Sequence, residues 1–346
     1  MPTIPVIAVD AMGGDHGPEV VIAGAVSGAR RFGASLLLHG DESSIRAALE
    51  HLDTHAVDID VIATSDVVTM DDHPAQVVRR KPNSSLMRAI QAVKDGEASA
   101  VLSAGNSGAV MAGTLMSLGR IKGVDRPAIA SYMPALKGKT LVLDLGAVTD
   151  PKPVHLVQFA LMGQTYARYV LNVQEPTIGL LSNGEEPGKG NQLTLAAHQL
   201  LASTHGIDFR GNVEGRDIAL GVVDIVVTDG FTGNVALKTA EGTATLLTES
   251  LRELLTSSPL RKLAALTLRP AFRELRRRLD YAEIGGAPLL GIDGTAIIAH
   301  GRSNALAIEN ALGVAARSSE QQLPLRIAER IAQEPEALDA DVQSRR

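Results

Sequence analysis

Five short segments combine glycine with Asp, Asn, Ser or Lys. They are Asp10-Ala-Met-Gly-Gly-Asp15-His-Gly17, Ala104-Gly-Asn-Ser-Gly108, Asp144-Leu-Gly-Ala-Val-Thr-Asp150, Ser182-Asn-Gly-Glu-Glu-Pro-Gly-Lys-Gly-Asn191 and Thr228-Asp-Gly-Phe-Thr-Gly-Asn234. Each follows a short apolar run. After the first, Pro18 opens a helical pattern through Val20, Val21, Ile22 and Ala25. Glycine lets backbone amides turn inward as an anion nest, and a following helix adds partial positive charge. Gly13, Gly14, Gly105, Ser107 and Gly108 are therefore candidate phosphate-binding positions, with Asn106 or Ser107 capping the second helix. Taken alone, the first loop fits a ligand-free turn as well as a phosphate site. Five such loops on one sheet edge imply a shared polar pocket.

That pocket offers amides, carboxylates and the cations Lys189 and Lys238, but no evident protein nucleophile. The chain has no cysteine, which removes disulfides, thiolate metal ligands and a cysteine nucleophile together. No Gly-x-Ser-x-Gly elbow is present. The stretch from Gly184 to Gly190 lacks the spacing and hydroxyl of a P-loop, and Gly13, Gly14 and Gly17 are not spaced as a dinucleotide fingerprint. No cofactor is expected. Nor is a metal: no His-x-x-x-His pair occurs, and Asp144 and Asp150 could make turns or cap helices as readily as hold Mg²⁺. His16, His155 and His300 flank the loops, either as ligand contacts or as structural residues. Lys238 is either a site cation or a solvated helix residue. Phosphate itself as the attacking group suits such a pocket, because the dianion needs positioning and neutralisation rather than a strong base.

The elements that must hold these loops alternate along the chain. Strand-like runs at 6–9, 35–38, 58–62, 100–103, 128–133, 140–143, 177–181, 207–213, 222–227 and 295–299 are mostly apolar throughout, as in strands buried on both faces. Helical periods fall at 18–31, 42–50, 84–95, 107–119, 153–171, 190–203, 233–256, 303–316 and 320–332. The alternation predicts an α/β fold with a doubly wound, mainly parallel, Rossmann-like sheet and ligands at the carboxyl ends of the strands. Without a convincing linker, residues 1–332 are expected to form one catalytic domain and 333–346 a flexible tail. A composition of 45% hydrophobic and 21% charged residues suits a soluble chain. The start lacks the pattern of a signal peptide, so a cytoplasmic location is expected. A net charge of −6 and the absence of Trp argue against nucleic-acid binding.

One stretch departs from this average, the expected helical segment at about 251–281. Within 251–280 eight basic residues, among them Arg261, Lys262, Arg273, Arg276, Arg277 and Arg278, stand against three acidic ones. They are interleaved with Leu260, Leu263, Leu266, Leu268, Phe272, Leu275 and Leu279. Pro270 is expected to split the stretch into two helices. Such an amphipathic pair suits an anionic bilayer surface or an acidic partner; it could equally pack on the body or on a second subunit.

Seven motifs in order, over about residues 4–320, resemble the bacterial phosphate acyltransferase family. They are Asp10-Ala-Met-Gly-Gly-Asp15, Ser103-Ala-Gly-Asn-Ser-Gly108, Gly184-Glu-Glu-Pro-Gly-Lys-Gly-Asn191, Gly211-Asn-Val-Glu-Gly-Arg-Asp217, Asp229-Gly-Phe-Thr-Gly-Asn234, Gly285-Gly-Ala-Pro-Leu-Leu-Gly291 and His300-Gly-Arg-Ser303. The resemblance implies an enzyme that converts acyl–acyl-carrier-protein and inorganic phosphate into acyl phosphate and free carrier for phospholipid synthesis. It further implies a fold related to isocitrate and isopropylmalate dehydrogenases, a homodimer, and peripheral membrane association, with a membrane glycerol-phosphate acyltransferase downstream. On this reading Asp15, Asn106, Lys189, Asp229, Asn234 and Lys238 are the candidate catalytic residues, and the basic segment contacts carrier or membrane. One position departs. Where the family usually reads Asp-x-Gly-Ala-Asn-x-Asp, this chain has Val148 followed by Thr149. Two alternatives stay open: a dehydrogenase on the same fold, or a membrane-associated scaffold that binds carrier without turnover.

Overall fold

Ile7, Ala8 and Val9 are wholly buried, as expected of an apolar run without alternation, and they form an inner strand of the first of two sheets. The computed structural model describes residues 4–279 and 285–334, without the side chains of residues 264, 273 and 275–279. Its first half runs β1 (Val6–Asp10), α1 (Gly17–Phe32), β2 (Ser35–Gly40), α2 (Glu42–Leu49), β3 (Ile59–Ala63), α3 (Pro74–Arg80), α4 (Ser85–Lys94), β4 (Ala100–Ser103), α5 (Ser107–Ser117) and β5 (Ala128–Ile129). The chain then crosses to a second sheet: β6 (Ser131–Ala135), β7 (Gly138–Leu143), α6 (Pro153–Val170), β8 (Thr177–Leu181), α7 (Gln192–Ser203), β9 (Asp208–Val213), α8 (Gly215–Leu220) and β10 (Ile225–Val227). Two long helices follow, α9 (Gly230–Thr256) and α10 (Pro259–Leu279). The return to the first sheet comprises β11 (Ala287–Leu290), β12 (Ala296–Ile298), α11 (Ala305–Glu320) and α12 (Leu323–Ala332).

The strand orders are β3-β2-β1-β4-β12-β11-β5 and β6-β7-β10-β8-β9. All pairings are parallel except those of β11 with β12 and β5, and of β6 with β7. The α/β, mainly parallel expectation holds, but the strands divide between two sheets. The run at 128–133 is the hinge of that division: Ala130 separates β5 from β6, and its N–H donates to the Pro288 carbonyl. Helix α6 is apolar nearly all round because it is shared. It packs on β7 and β10 of the second sheet and touches α11, which packs on β4 and β12 of the first. On the first sheet α1 and α11 approach closely: a Cβ on Gly28 of α1 would lie 3.0 Å from the Glu309 carbonyl oxygen of α11.

The expected break at Pro270 is absent. The helices divide instead at Ser257 and Ser258, where Ser258 Oγ accepts the Arg261 N–H at 3.3 Å and Pro259 occupies the first helical position. Pro270 lies within α10. That helix and the outer part of α9 are exposed on most sides, so the carbonyl left without a partner by the proline can bond water. Among the described residues no helix is long and apolar enough to cross a membrane.

Candidate functional site

β4 lies beside β1, while the chain after β1 winds outward to β2, which creates a switch point between their carboxyl ends. The loops leaving β1 and β4 meet there at backbone distance. A Cβ on Gly13 would lie 2.8 Å from both Asp10 Oδ2 and the Gly105 nitrogen. Asp10 organises this contact from below: Ser103 Oγ donates to its Oδ2 at 2.7 Å, and the Gly105 N–H donates to Ser103 Oγ at 3.0 Å. Burial pushes the Asp10 carboxyl above the usual carboxylate range. Ser85 and the Met12 and Gly13 amides oppose that shift, although Oδ1 itself completes no hydrogen bond.

The expected phosphate-binding glycines divide into two groups. The Gly13 N–H is engaged with the Asp10 carbonyl and that of Gly105 with Ser103, so both residues serve close packing. Gly14 sits at φ +104°, a conformation that side chains disfavour, with Gly301 across from it. At α5, Asn106 is the cap: its Oδ1 accepts the Ala109 N–H at 3.0 Å. Ser107 and Gly108, the first two residues of the helix, have amides with no intrahelical acceptor. The Asn106 Nδ2 group reaches the carbonyls of Thr69, Met70 and Asp72 at 3.1–3.3 Å, tying the 69–72 segment to the start of α5.

β12 inserts beside β4 and brings a third loop, His300-Gly-Arg-Ser303. The Asp15 N–H donates to the Gly301 carbonyl at 2.7 Å. His300 Nδ1 accepts the Arg302 N–H at 3.2 Å, which leaves the neutral ring with its proton on Nε2. Burial holds the His300 ring below the ordinary imidazole range; Lys238 and Arg302 push the same way, and Glu241 and Asp15 oppose them. Lys238, on α9, pairs with Glu241 at 2.9 Å.

The second sheet contributes the 144–150 loop. Asp144 is buried in a nest of amides, accepting N–H groups from Ile129, Gly146, Ala147 and Val148 at 2.6–3.1 Å. Burial raises its carboxyl and those four donors pull it back. Of the two roles considered for Asp144, turn-making is the one its bonds satisfy. The loop seats the start of α9: the Gly230 N–H donates to the Val148 carbonyl at 2.8 Å, and a Cβ on Gly233 would run into the Asp144 carbonyl oxygen. Asp229 caps the helix through the Thr232 N–H at 2.8 Å, and Asn234 lies against Gly146.

Lys189 stands apart from this crown. Its described neighbours are Gly184, Glu186 and Asn212, on the β8–β9 side of the second sheet. Beside it Glu185, Glu214 and Asp217 bring ligand-capable oxygens within 4.8 Å of one another, and Arg216 pairs with all three. His155 caps α6, accepting the Lys152 N–H at 3.0 Å, and is buried. Arg261 and Lys262 are exposed on α10. The side chains of Arg273, Arg276, Arg277 and Arg278 lie outside the described residues. Of the two roles open to His300 from the sequence, its place beside Asp15 and Arg302 favours ligand contact; Arg302 carries no local signal, because it depends on the insertion of β12 next to β4.

A protein-family model described as "Fatty acid synthesis protein" matches residues 6–326. A phosphate acyltransferase of Geobacter sulfurreducens is 51% identical over 328 residues, 95% of this chain and 94% of that protein. Another, of Anaeromyxobacter sp. strain Fw109-5, is 52% identical over 307 residues, 88% of this chain and 85% of that one. Among solved structures, a phosphotransacetylase from Streptococcus pyogenes aligns with a TM-score of 0.61 at 15% identity, covering 91% of this chain and 94% of that one. The EutD phosphotransacetylase from Staphylococcus aureus aligns at 0.58 and 12% identity, covering 92% and 95%. At such identity the structural likeness supports the fold alone. With half of its residues identical to curated relatives over nearly their whole length, the chain belongs to the phosphate acyltransferase family and is an acyltransferase enzyme.

Proposed function

We propose that the enzyme moves a fatty acyl group from acyl–acyl-carrier-protein to inorganic phosphate, giving acyl phosphate and free carrier for phospholipid synthesis. The observation that carries this reading is the meeting of three loops around the start of α5, which brings anion-binding groups together. Phosphate sits at the Ser107 and Gly108 amides and Gly14, and the His300 Nε2–H, Arg302 and Lys238 neutralise it. Asp15 and Asn106 are positioning residues, the first holding the 300–303 loop and the second the 69–72 segment. A phosphate oxygen attacks the thioester carbonyl, the C–O bond forms, and the C–S bond breaks. The leaving thiolate, of pKa about 8.5, takes up the proton released by phosphate, so no strong general acid is required. Asp229 and Asn234, at the mouth of the second sheet, orient the carrier's prosthetic arm, and Lys189 guides the acidic carrier from the side.

The exposed arm of α9 and α10 supports the rest of the reading. Leu246, Leu247, Leu254, Leu260 and Leu263 are all more than half exposed. A patch of this kind marks an interaction surface. On our reading it serves a homodimer and a transient contact with an anionic membrane, next to the glycerol-phosphate acyltransferase that uses the product. Purified enzyme, acyl carrier and labelled phosphate should give labelled acyl phosphate in step with carrier release. Carrier release that ignores phosphate would refute the transfer, and binding without turnover would favour the scaffold.

A further inference from the structure

Between α5, the 119–127 segment after it and the 147–150 stretch lies a cavity of about 1120 Å³. Met111, Ala112 and Leu115, spaced on one face of α5, line it together with Val124, Pro127 and Val148. Arg120, Lys122, Asp125, Arg126 and Asp150 line it as well and are exposed, so the wall is part apolar and part charged. Such a mixed wall suits an amphiphile, in a volume above that of most small-ligand pockets. Helix α5 links this cavity to the candidate site, since its first turn bears the site's amides and its later turns line the cavity. At 1.5 Å per residue, Met111 and Leu115 lie roughly 6 and 12 Å along α5 from its amide-bearing first residue.

We infer that this cavity takes the acyl chain of the donor, and that Val148 is a specificity-determining residue of its wall. The inference rests on the transfer reaction proposed above for the identity of the donor. A thioester carbonyl held at the start of α5 points its chain along the helix and over Val148. The backbone of Val148 is doubly engaged, its N–H with Asp144 Oδ2 at 2.6 Å and its carbonyl with the Gly230 N–H at 2.8 Å. The loop is therefore fixed by the main chain, and the half-buried isopropyl group sets the chemistry of the wall without building the loop.

The test compares hexadecanoyl, octanoyl and butanoyl carriers in Val148→Thr, Val148→Asn and Leu115→Trp. Placing an amide against the chain should lower kcat/KM for the hexadecanoyl donor about tenfold in Val148→Asn, with a smaller loss for butanoyl and an unchanged KM for phosphate. Val148→Thr keeps shape and branching and should show the same trend more weakly. Leu115→Trp narrows the cavity and should move the preference toward octanoyl. Binding of a fluorescent long-chain fatty acid, measured without turnover, should weaken in the same order. Equal losses at all chain lengths, or an unaltered long-chain preference in variants that melt like wild type, would overturn the inference. Wild-type enzyme that binds the fatty acid but forms no labelled acyl phosphate from any of the acyl carriers would remove the reaction and leave the cavity's assignment intact.

Discussion

At its start α9 is wedged against the 144–148 loop, leaving no room for a methyl group on Gly230 or Gly233. About two and a half turns beyond Gly233, a Cβ on Gly242 would meet nothing within 4 Å. One helix thus contains two regimes. The inner end is placed by backbone contact with a buried, amide-wrapped aspartate, which fixes Asp229 and Asn234 to within the tolerance of main-chain packing. The outer end, with α10, has no such frame and offers leucines and cations to a partner. Positional accuracy for chemistry and availability for docking are properties of different stretches of one element.

The sharpest way to break this contrast is to make one substitution at both ends. Alanine is preferred over glycine in a helix by roughly 1 kcal/mol, so Gly242→Ala should stabilise the protein by about that amount. Gly233→Ala carries the same propensity gain, yet its methyl group must displace the Asp144 carbonyl. It should destabilise by about 3 kcal/mol or more and abolish acyl phosphate formation. Denaturant unfolding monitored by circular dichroism measures both. Equal effects at the two positions would mean that the wedge is not a constraint.

What could be seen in advance follows the same division. The cap at Asn106 and the alternation of strands and helices are local, and residue types carry them. Gly13 and Gly105 were legible as glycines of a nest, but their meeting depends on β4 lying beside β1, which no local pattern records. The division into two sheets turns on Ala130, inside a run that looks like one continuous strand. Helices α3 and α8 have 7 and 6 residues, too short for a periodic signal. The helix end at 256 was legible ahead of Ser258-Pro259, a cap followed by proline, whereas the break expected at Pro270 does not occur. The positive φ of Gly14 has a practical consequence. A Gly14→Val variant would add backbone strain to any change in phosphate KM, whereas Asp15→Asn keeps the main-chain bond to Gly301 and tests the side chain alone.

The outer regime predicts a smaller effect, confined to association. Arg261→Glu with Lys262→Glu should weaken binding to vesicles of anionic lipid tenfold or more at low salt, since each cation near such a surface contributes about 1 kcal/mol. Stability and phosphate KM should be untouched, because both residues are exposed on α10. The difference should shrink as salt is raised. Unchanged affinity for both vesicles and carrier would assign the arm to subunit contact alone.

The smallest effect tests where one regime gives way to the other. Lys238 sits about one turn beyond Asn234 and is exposed, yet its charge reaches His300, which lies on the far loop of the first sheet. Its surface pairing with Glu241 contributes little to stability, so its removal should leave the fold alone. The ring is now held below the ordinary imidazole range by burial first and by Lys238 and Arg302 after it. Taking away one cation removes a penalty on the protonated ring and leaves Glu241 to favour it. In Lys238→Ala the His300 pKa should therefore rise, less so as salt is raised, and Lys238→Arg should hold it in place. Proton NMR titration of the imidazole reads this directly. A ring that titrates identically in all three proteins would move the boundary of the anchored region inward, to Asn234, and take Lys238 out of the group that neutralises phosphate.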